Sequence, residues 1–389
     1  MDSLQKGIIT LLKSAVTGEA LPLPEDFDME QAYCQLRRHH VQALGYEGAV
    51  RCGVSRQMPA MDSLFRDYCK AMLVSERQMA AVEQLCAAFD AQEIAYMPVK
   101  GCNMKARYPK PELRTMGDAD ILIHPEQYEK VVPILEALGY SQLSEVDHVY
   151  EWQNKNLYLE LHKRLIPTDN QDFYAAMGDG WQLAKIQRGC RWDMEAEDEL
   201  FFLFTHFAKH YRYGGIGIGH VTDLWVFLRT NPHINENKVK QALEKLYLSA
   251  FYENIRKVID AWFSDGEWDE KTEFITDFVF ESGRWGTAEA HALSTAAKAV
   301  KEKRSGVSGR DVYLLKLVFP DAQQMRWNYP VLQKAPWLLP IMWVVRLVEK
   351  LLFDRSKFSV RAKELKVLRQ ENIQTLQDAL VYAGLDYHF

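Results

Sequence analysis

The sequence predicts an α+β fold: a small mixed-sheet module set between N-terminal helices and a helical C-terminal region. Three observations carry that expectation. Apolar residues recur at helical spacing before residue 90 and after 195, short strand-like runs crowd into the stretch between, and acidic residues stand at the strand ends. The 389-residue chain thus divides into an N-terminal helical region over 1–90, an α/β module over 91–190 and a helical region over 191–389.

In the first region Ile8, Leu11 and Leu12, and later Leu73, Met79, Val82, Leu85 and Phe89, repeat at helical intervals. The module then reads as strands over Ile94–Val99, Ala119–Ile123 and Leu157–Leu161, separated by turn signals at Gly101, Pro109, Pro111 and Gly117. A helix is expected over Pro125–Leu138, with Pro125 suited to its first turn, Gly139 to its stop, and Pro133 placed to kink it. From 195 onward the acidic run Glu195–Glu199 leads into ELFFLFTHFAKHYR, as suits a helix N-terminus. The four glycines of Gly214–Gly219 form a loop, and helical spacing returns over Lys238–Phe263 and Thr287–Lys303.

Composition narrows the function classes. Forty-seven basic and 53 acidic residues, a net charge of −6, are mixed along the chain, so no basic block argues for generic nucleic-acid binding. The six cysteines form no C-x-x-C pair, which speaks against a structural zinc site or a disulfide framework and for reduced thiols. The N-terminus lacks a signal peptide's basic start, apolar stretch and cleavage site, so a cytoplasmic location is expected. The most apolar segment, Trp337–Val345, is far shorter than the roughly 20 residues a spanning helix needs. The wider segment Tyr329–Phe353, with its prolines, tryptophans and charges, suits either a membrane or partner surface or a last helix packed on the core.

The stretch Lys100–Ile123 carries the chemistry. Asp118 and Asp120 are two apart, so on a strand both carboxylates point to one face, where they can hold one or two hard cations. A D-x-D pair alone is weak, since solvated strand ends often carry one. Here it follows a basic, turn-rich loop, and a further strand offers Glu160 and His162, again two apart. Three carboxylates on one sheet face suit phosphoryl transfer with a metal pair about 4 Å apart. His162 either orients this cluster or packs at the strand end. On the following helix His206 and His210 share a face, with Asp223 beyond the glycine loop. They line a cleft or are hydrogen-bonded packing residues, and without H-E-x-x-H they do not read as a zinc protease.

Taken in order, Lys100-Gly101, Tyr108, Arg114, Asp118-Ala119-Asp120, Leu138-Gly139-Tyr140, Glu160-Leu161-His162, His206 with His210, and Asp223-Leu224 resemble the uncharacterised bacterial nucleotidyltransferases of the DNA-polymerase-beta-like superfamily. That resemblance, over about 95–265, implies a magnesium-dependent enzyme that uses two Mg2+ ions, with Mn2+ as the alternative, to move a nucleoside monophosphate from a nucleoside triphosphate to an acceptor hydroxyl. Asp118, Asp120 and Glu160 are then the catalytic metal ligands. Gly101 lets the backbone approach the triphosphate, and Lys100 and Arg114 neutralise it, unless these belong to a solvated basic loop. A small molecule or a protein is favoured as acceptor over a long nucleic acid. Gly117 and Glu160 stand where serine and aspartate are more usual in the superfamily, which leaves as alternative a non-catalytic module binding nucleotide or a partner.

Overall fold

The computed structural model describes residues 1–168, 170–284, 286, 290–296, 311, 313, 315, 318–320, 322–353 and 368–385. Four helices open the chain: α1 (Ser3–Thr17), α2 (Met29–Arg38), α3 (Gln42–Arg51) and the long α4 (Pro59–Ala91). Asp2 and Gln5 close a capping box at the start of α1, and Asp28 accepts from the backbone N–H groups of Glu30 and Gln31 at the start of α2.

A seven-stranded mixed sheet follows: β1 (Tyr96–Val99), β2 (Ala119–Ile123), β3 (Ser141–Val146), β4 (Val149–Gln153), β5 (Tyr158–His162), β6 (Ala184–Arg188) and β7 (Arg191–Met194). Their spatial order is β3-β4-β5-β2-β1-β7-β6. β2 runs antiparallel to β1 and parallel to β5. Short helices α5 (Gly101–Lys105), α6 (Tyr128–Ala137) and α7 (Gln171–Met177) connect the strands. The expected Pro125–Leu138 helix is divided: Pro125–Gln127 is a 3-10 turn, α6 carries Pro133 inside it, and Gly139 ends it at φ +75°.

The helical remainder includes, among the described residues, α8 (Ala196–Arg212), α9 (Ile218–Thr230), α10 (Glu236–Glu244), α11 (Ser249–Phe263), α12 (Glu270–Ser282), α13 (Ala322–Asn328), α14 (Val331–Lys334), α15 (Leu339–Phe353) and α16 (Gln370–Tyr382). The single stretch expected over Lys238–Phe263 breaks between α10 and α11, where Tyr247 takes φ +55°. Of Thr287–Lys303, residues 290–296 are helical and the others lie outside the described residues.

Two cores flank the sheet, and the alternation of strand side chains divides residues between them. Ala119, Ile121 and Ile123 of β2, with Leu159 and Leu161 of β5, face α4 and α6, where Phe89, Val131 and Leu135 are buried. Each large apolar side chain buried there contributes about 1.5–3 kcal/mol. Leu122 joins the other core, which runs from α1 through α8, α9 and α11 to α16 and is thus shared by the N-terminal and C-terminal helices. Asp120, Glu160 and His162 have the parity of Leu122, so they emerge on the face covered by α8 and α9.

Tyr211, Trp225 and Phe227 are core residues. No helix among the described residues is long and apolar enough to cross a membrane. In the Tyr329–Phe353 segment one side packs, with Trp343 donating from its indole N–H to the Pro320 carbonyl at 2.9 Å. Trp337, Ile341, Val344 and Val348 remain exposed along the other side.

Candidate active site

The register of β2 on β5 sets Asp120 opposite Glu160 and Leu122 opposite His162. Because Glu160 and His162 are two apart, both side chains reach the face of Asp120, and one ligand atom from each of the three lies within 4.8 Å of the others. His162 Nε2 is 2.8 Å from Asp120 Oδ1 and 3.5 Å from Glu160 Oε2. Asp118 stands outside this group, on the bend ahead of β2, where the strand alternation has not begun.

β1 delivers the counter-charge. Val99 pairs with Asp120 across the antiparallel ladder, so Lys100 follows at the carboxylate's edge and places Nζ 2.6 Å from Asp120 Oδ1. Lys100 has φ +47°, a conformation that costs a non-glycine residue about 1–3 kcal/mol and persists where the surroundings enforce it. Burial pushes the Asp120 carboxyl up, but Lys100 and the His162 hydrogen bond outweigh it and hold the carboxyl well below the usual range. Asp118 moves the other way, raised by burial and by repulsion from Asp120 and Glu160. Burial alone would depress His162, yet its bonds to Asp120 and Glu160 raise it.

Arg114, expected to meet phosphate, is gripped by Asp223 of α9: Nε lies 3.1 Å from Oδ1 and Nη2 3.1 Å from Oδ2. The Tyr108 hydroxyl donates to the same carboxylate at 2.7 Å, and Lys105 Nζ donates to the Arg114 carbonyl at 2.8 Å. Burial drives that lysine down to about 8, with Arg114 adding repulsion. A Cβ on Gly101 would meet Arg114 Nη1 at 2.9 Å and Met116 at 3.0 Å, so the close approach this glycine permits is made by protein side chains.

All ten candidate site residues (Lys100, Gly101, Arg114, Asp118, Asp120, Glu160, His162, His206, His210 and Asp223) border one cavity of about 380 Å³ between the sheet and α8 and α9. That volume is within the usual range for small-molecule sites. The carboxylates form one wall. His206 and His210, with ring centroids 4.5 Å apart, stand on the α8 side. Burial lowers both, His210 to about 3, so both imidazoles are neutral at pH 7.

Sequence reasoning missed several lining residues. His148 comes from the turn between β3 and β4, His39 and His40 from the end of α2, His220 from α9, Lys209 from α8 and Arg284 from beyond α12. For His220 a signal existed, since it lies one helical turn before Asp223. The others reach the cavity only through tertiary packing.

The donors fit a divalent cation. Two carboxylates and an imidazole converge, and the third carboxylate close by is destabilised by their charge, a repulsion that bound positive charge relieves.

The chain is similar to the solution structure titled as that of the antibiotic-resistance factor ANT(2'')-Ia, at 13% identity and a TM-score of 0.34, over 47% of this chain and 96% of the other. No curated protein matches the chain. A family profile described as an uncharacterised nucleotidyltransferase matches residues 25–264, a span that holds all ten residues, and the chain belongs to that nucleotidyltransferase family.

Proposed function

We propose that the cavity transfers a nucleoside monophosphate from a magnesium-bound nucleoside triphosphate to an acceptor hydroxyl, with Mn2+ able to replace Mg2+. The observation that carries this reading is the convergence of Asp120 and Glu160 within 4.8 Å on one sheet face, beside Asp118 and a lysine. Asp120 and Glu160 would hold the divalent cations together with Asp118 close by, and His162 would supply a further donor. Bound divalent cations neutralise charge on the phosphates and lower the pKa of an attacking hydroxyl.

The chain's own residues do the rest. Lys100, whose ammonium contacts Asp120, would bind the triphosphate. The acceptor oxygen bonds to the α-phosphorus, the bond to the bridging oxygen breaks, and pyrophosphate departs. The acceptor's proton leaves to solvent. The neutral histidines of α8 offer hydrogen bonds to a polar, hydroxyl-bearing acceptor. A cavity of about 380 Å³ suits a small molecule or a protruding side chain as acceptor better than a long polynucleotide, in keeping with the net charge of −6.

Calorimetric titration of ATP, GTP, CTP and UTP, each with and without Mg2+, tests the reading. At least one should bind in a metal-dependent way. Binding of every triphosphate with equal affinity in the absence of metal, or of none in its presence, would sink it.

A further inference from the structure

One of the three donors that converge in the cavity is not a carboxylate. β5 and β2 are interior strands of the sheet, with neighbours on both sides, so two paired backbones rather than a loop place Asp120, Glu160 and His162. His162 is 2% exposed and turns Nε2 toward both acids, 2.8 Å from Asp120 Oδ1 and 3.5 Å from Glu160 Oε2. Two ligands each about 2.1 Å from one ion stand about 3.0 Å apart at a right angle and about 3.4 Å apart at the tetrahedral angle. Both distances from Nε2 are therefore close to those between ligands of a single ion.

The neighbouring charge and the state of the ring point the same way. The Lys100 ammonium, 2.6 Å from Asp120 Oδ1, marks a place where the fold already sets a positive charge. Ionised carboxylates only accept, so without a metal Nε2 carries a proton and donates to Asp120. Nδ1 is buried and has no hydrogen-bond partner among the described residues, so none of them holds the ring in that tautomer from its other side. Placing the ring proton on Nδ1 frees the Nε2 lone pair for a cation.

An imidazole among the ligands decides which ions are preferred. Mg2+ takes oxygen ligands in near-ideal octahedral geometry and gives up its waters reluctantly. Imidazole suits Zn2+ and other transition ions, whereas carboxylates alone suit Mg2+, Ca2+ and Mn2+. Two carboxylates and one imidazole thus favour a divalent transition ion over Mg2+ through the nitrogen. Asp118, on the bend ahead of β2 and outside the three, offers oxygen only and suits an ion that arrives on the triphosphate.

We propose that His162 is a metal ligand through Nε2 and that, with Asp120 and Glu160, it makes one of the two ion positions selective for a divalent transition ion, Mn2+ or Zn2+, while Mg2+ enters with the nucleotide beside Asp118. The inference rests on the nucleotidyl-transfer reading and says which ion the chain itself holds.

The test titrates Mg2+, Mn2+ and Zn2+ into the full chain, the wild type beside His162→Gln. The glutamine amide still donates to Asp120 but offers a metal no imidazole nitrogen. The wild type should bind Mn2+ and Zn2+ at least about tenfold tighter than Mg2+, and His162→Gln should lose about 10- to 100-fold for those two ions with little change for Mg2+. Pulsed EPR of Mn2+ bound to the wild type, alone and with each triphosphate, should show coupling to a directly ligated imidazole nitrogen. That measurement needs no variant, so it decides should His162→Gln fail to fold. Bound Mn2+ without nitrogen coupling overturns the proposal, reduces His162 to orienting Asp120 and leaves the transferase reading standing; a folded His162→Gln that keeps the wild-type preference over Mg2+ does the same. Nitrogen-coupled Mn2+ with no triphosphate bound beside it upholds the metal site and removes the transferase reading. A wild type that binds no ion, with or without triphosphate, overturns both.

Discussion

Lys100 Nζ sits 2.6 Å from Asp120 Oδ1, the same oxygen that His162 Nε2 approaches at 2.8 Å, so one carboxylate oxygen already carries two nitrogen partners. A cation entering the site competes with Lys100. Replacing this lysine by methionine, which keeps the stem without the charge, should raise affinity for Mn2+ alone by about tenfold. The same variant should weaken triphosphate binding. Calorimetry with metal alone and then with metal and nucleotide reads both signs, and a loss of metal affinity would show that Lys100 is not a competing cation.

Asp118 and Asp120 should differ in stability although both are expected to be essential for turnover. Asp120 is 3% exposed, and its change to asparagine leaves the mostly buried Lys100 without its partner, a loss of about 3–5 kcal/mol. The Asp118 carboxyl is raised in the fold, so its charge at pH 7 opposes folding, and Asp118→Asn should leave the metal-free protein as stable or slightly more so. Thermal melts of the two variants without metal separate them; equal destabilisation would contradict the assignment.

Asp223 binds Arg114 and Tyr108 together and so ties α9 to the loop ahead of β2. Asp223→Ala strands a guanidinium and should cost about 3–5 kcal/mol, whereas Tyr108→Phe removes one hydrogen bond and should cost about 1–2. Denaturant unfolding measures both. A mild Asp223→Ala would mean that Arg114 is held by other contacts.

His39 gives a pH dependence of known sign. Burial, the largest cause, lowers it to about 4, while in the unfolded chain it titrates near 6.5. Between those values the unfolded state binds the extra proton, so stability should fall as pH drops from about 6.5 to about 4 and then level, by about 3 kcal/mol from this residue. His39→Gln, which retains a donor and an acceptor, should flatten that part of the profile. An unchanged slope would assign the effect to other histidines of the cavity.

How much of this was legible in the sequence follows from burial. Ala119–Ile123 was read to the residue, because both faces of β2 are covered and the strand is uniformly apolar apart from its one aspartate. β3, β4, β6 and β7 escaped notice; β3 and β6 are the two edges of the sheet, where SQLSEV and AKIQR point mostly to solvent and keep no apolar period. The acidic cluster was legible through two-residue spacing, but that spacing also grouped Asp118 with Asp120, and the fold puts Asp118 on the bend before the strand begins. Nor is Asp120 a solvated strand-end carboxylate, since it is buried against Lys100 and His162. Arg284 lies 166 positions beyond Asp118 and reaches the cavity through tertiary packing alone.

The most direct test of the account is transfer of label from an α-32P nucleoside triphosphate, with Mg2+ or Mn2+ and a cell lysate as acceptor source, measured together with pyrophosphate release. The wild type should release pyrophosphate in step with label transfer, and Asp118→Asn and Glu160→Gln should do neither while remaining folded. Label transfer by those variants at the wild-type rate, or no pyrophosphate from any of the four triphosphates, would contradict the assignment of this cavity as a nucleotidyl-transfer site.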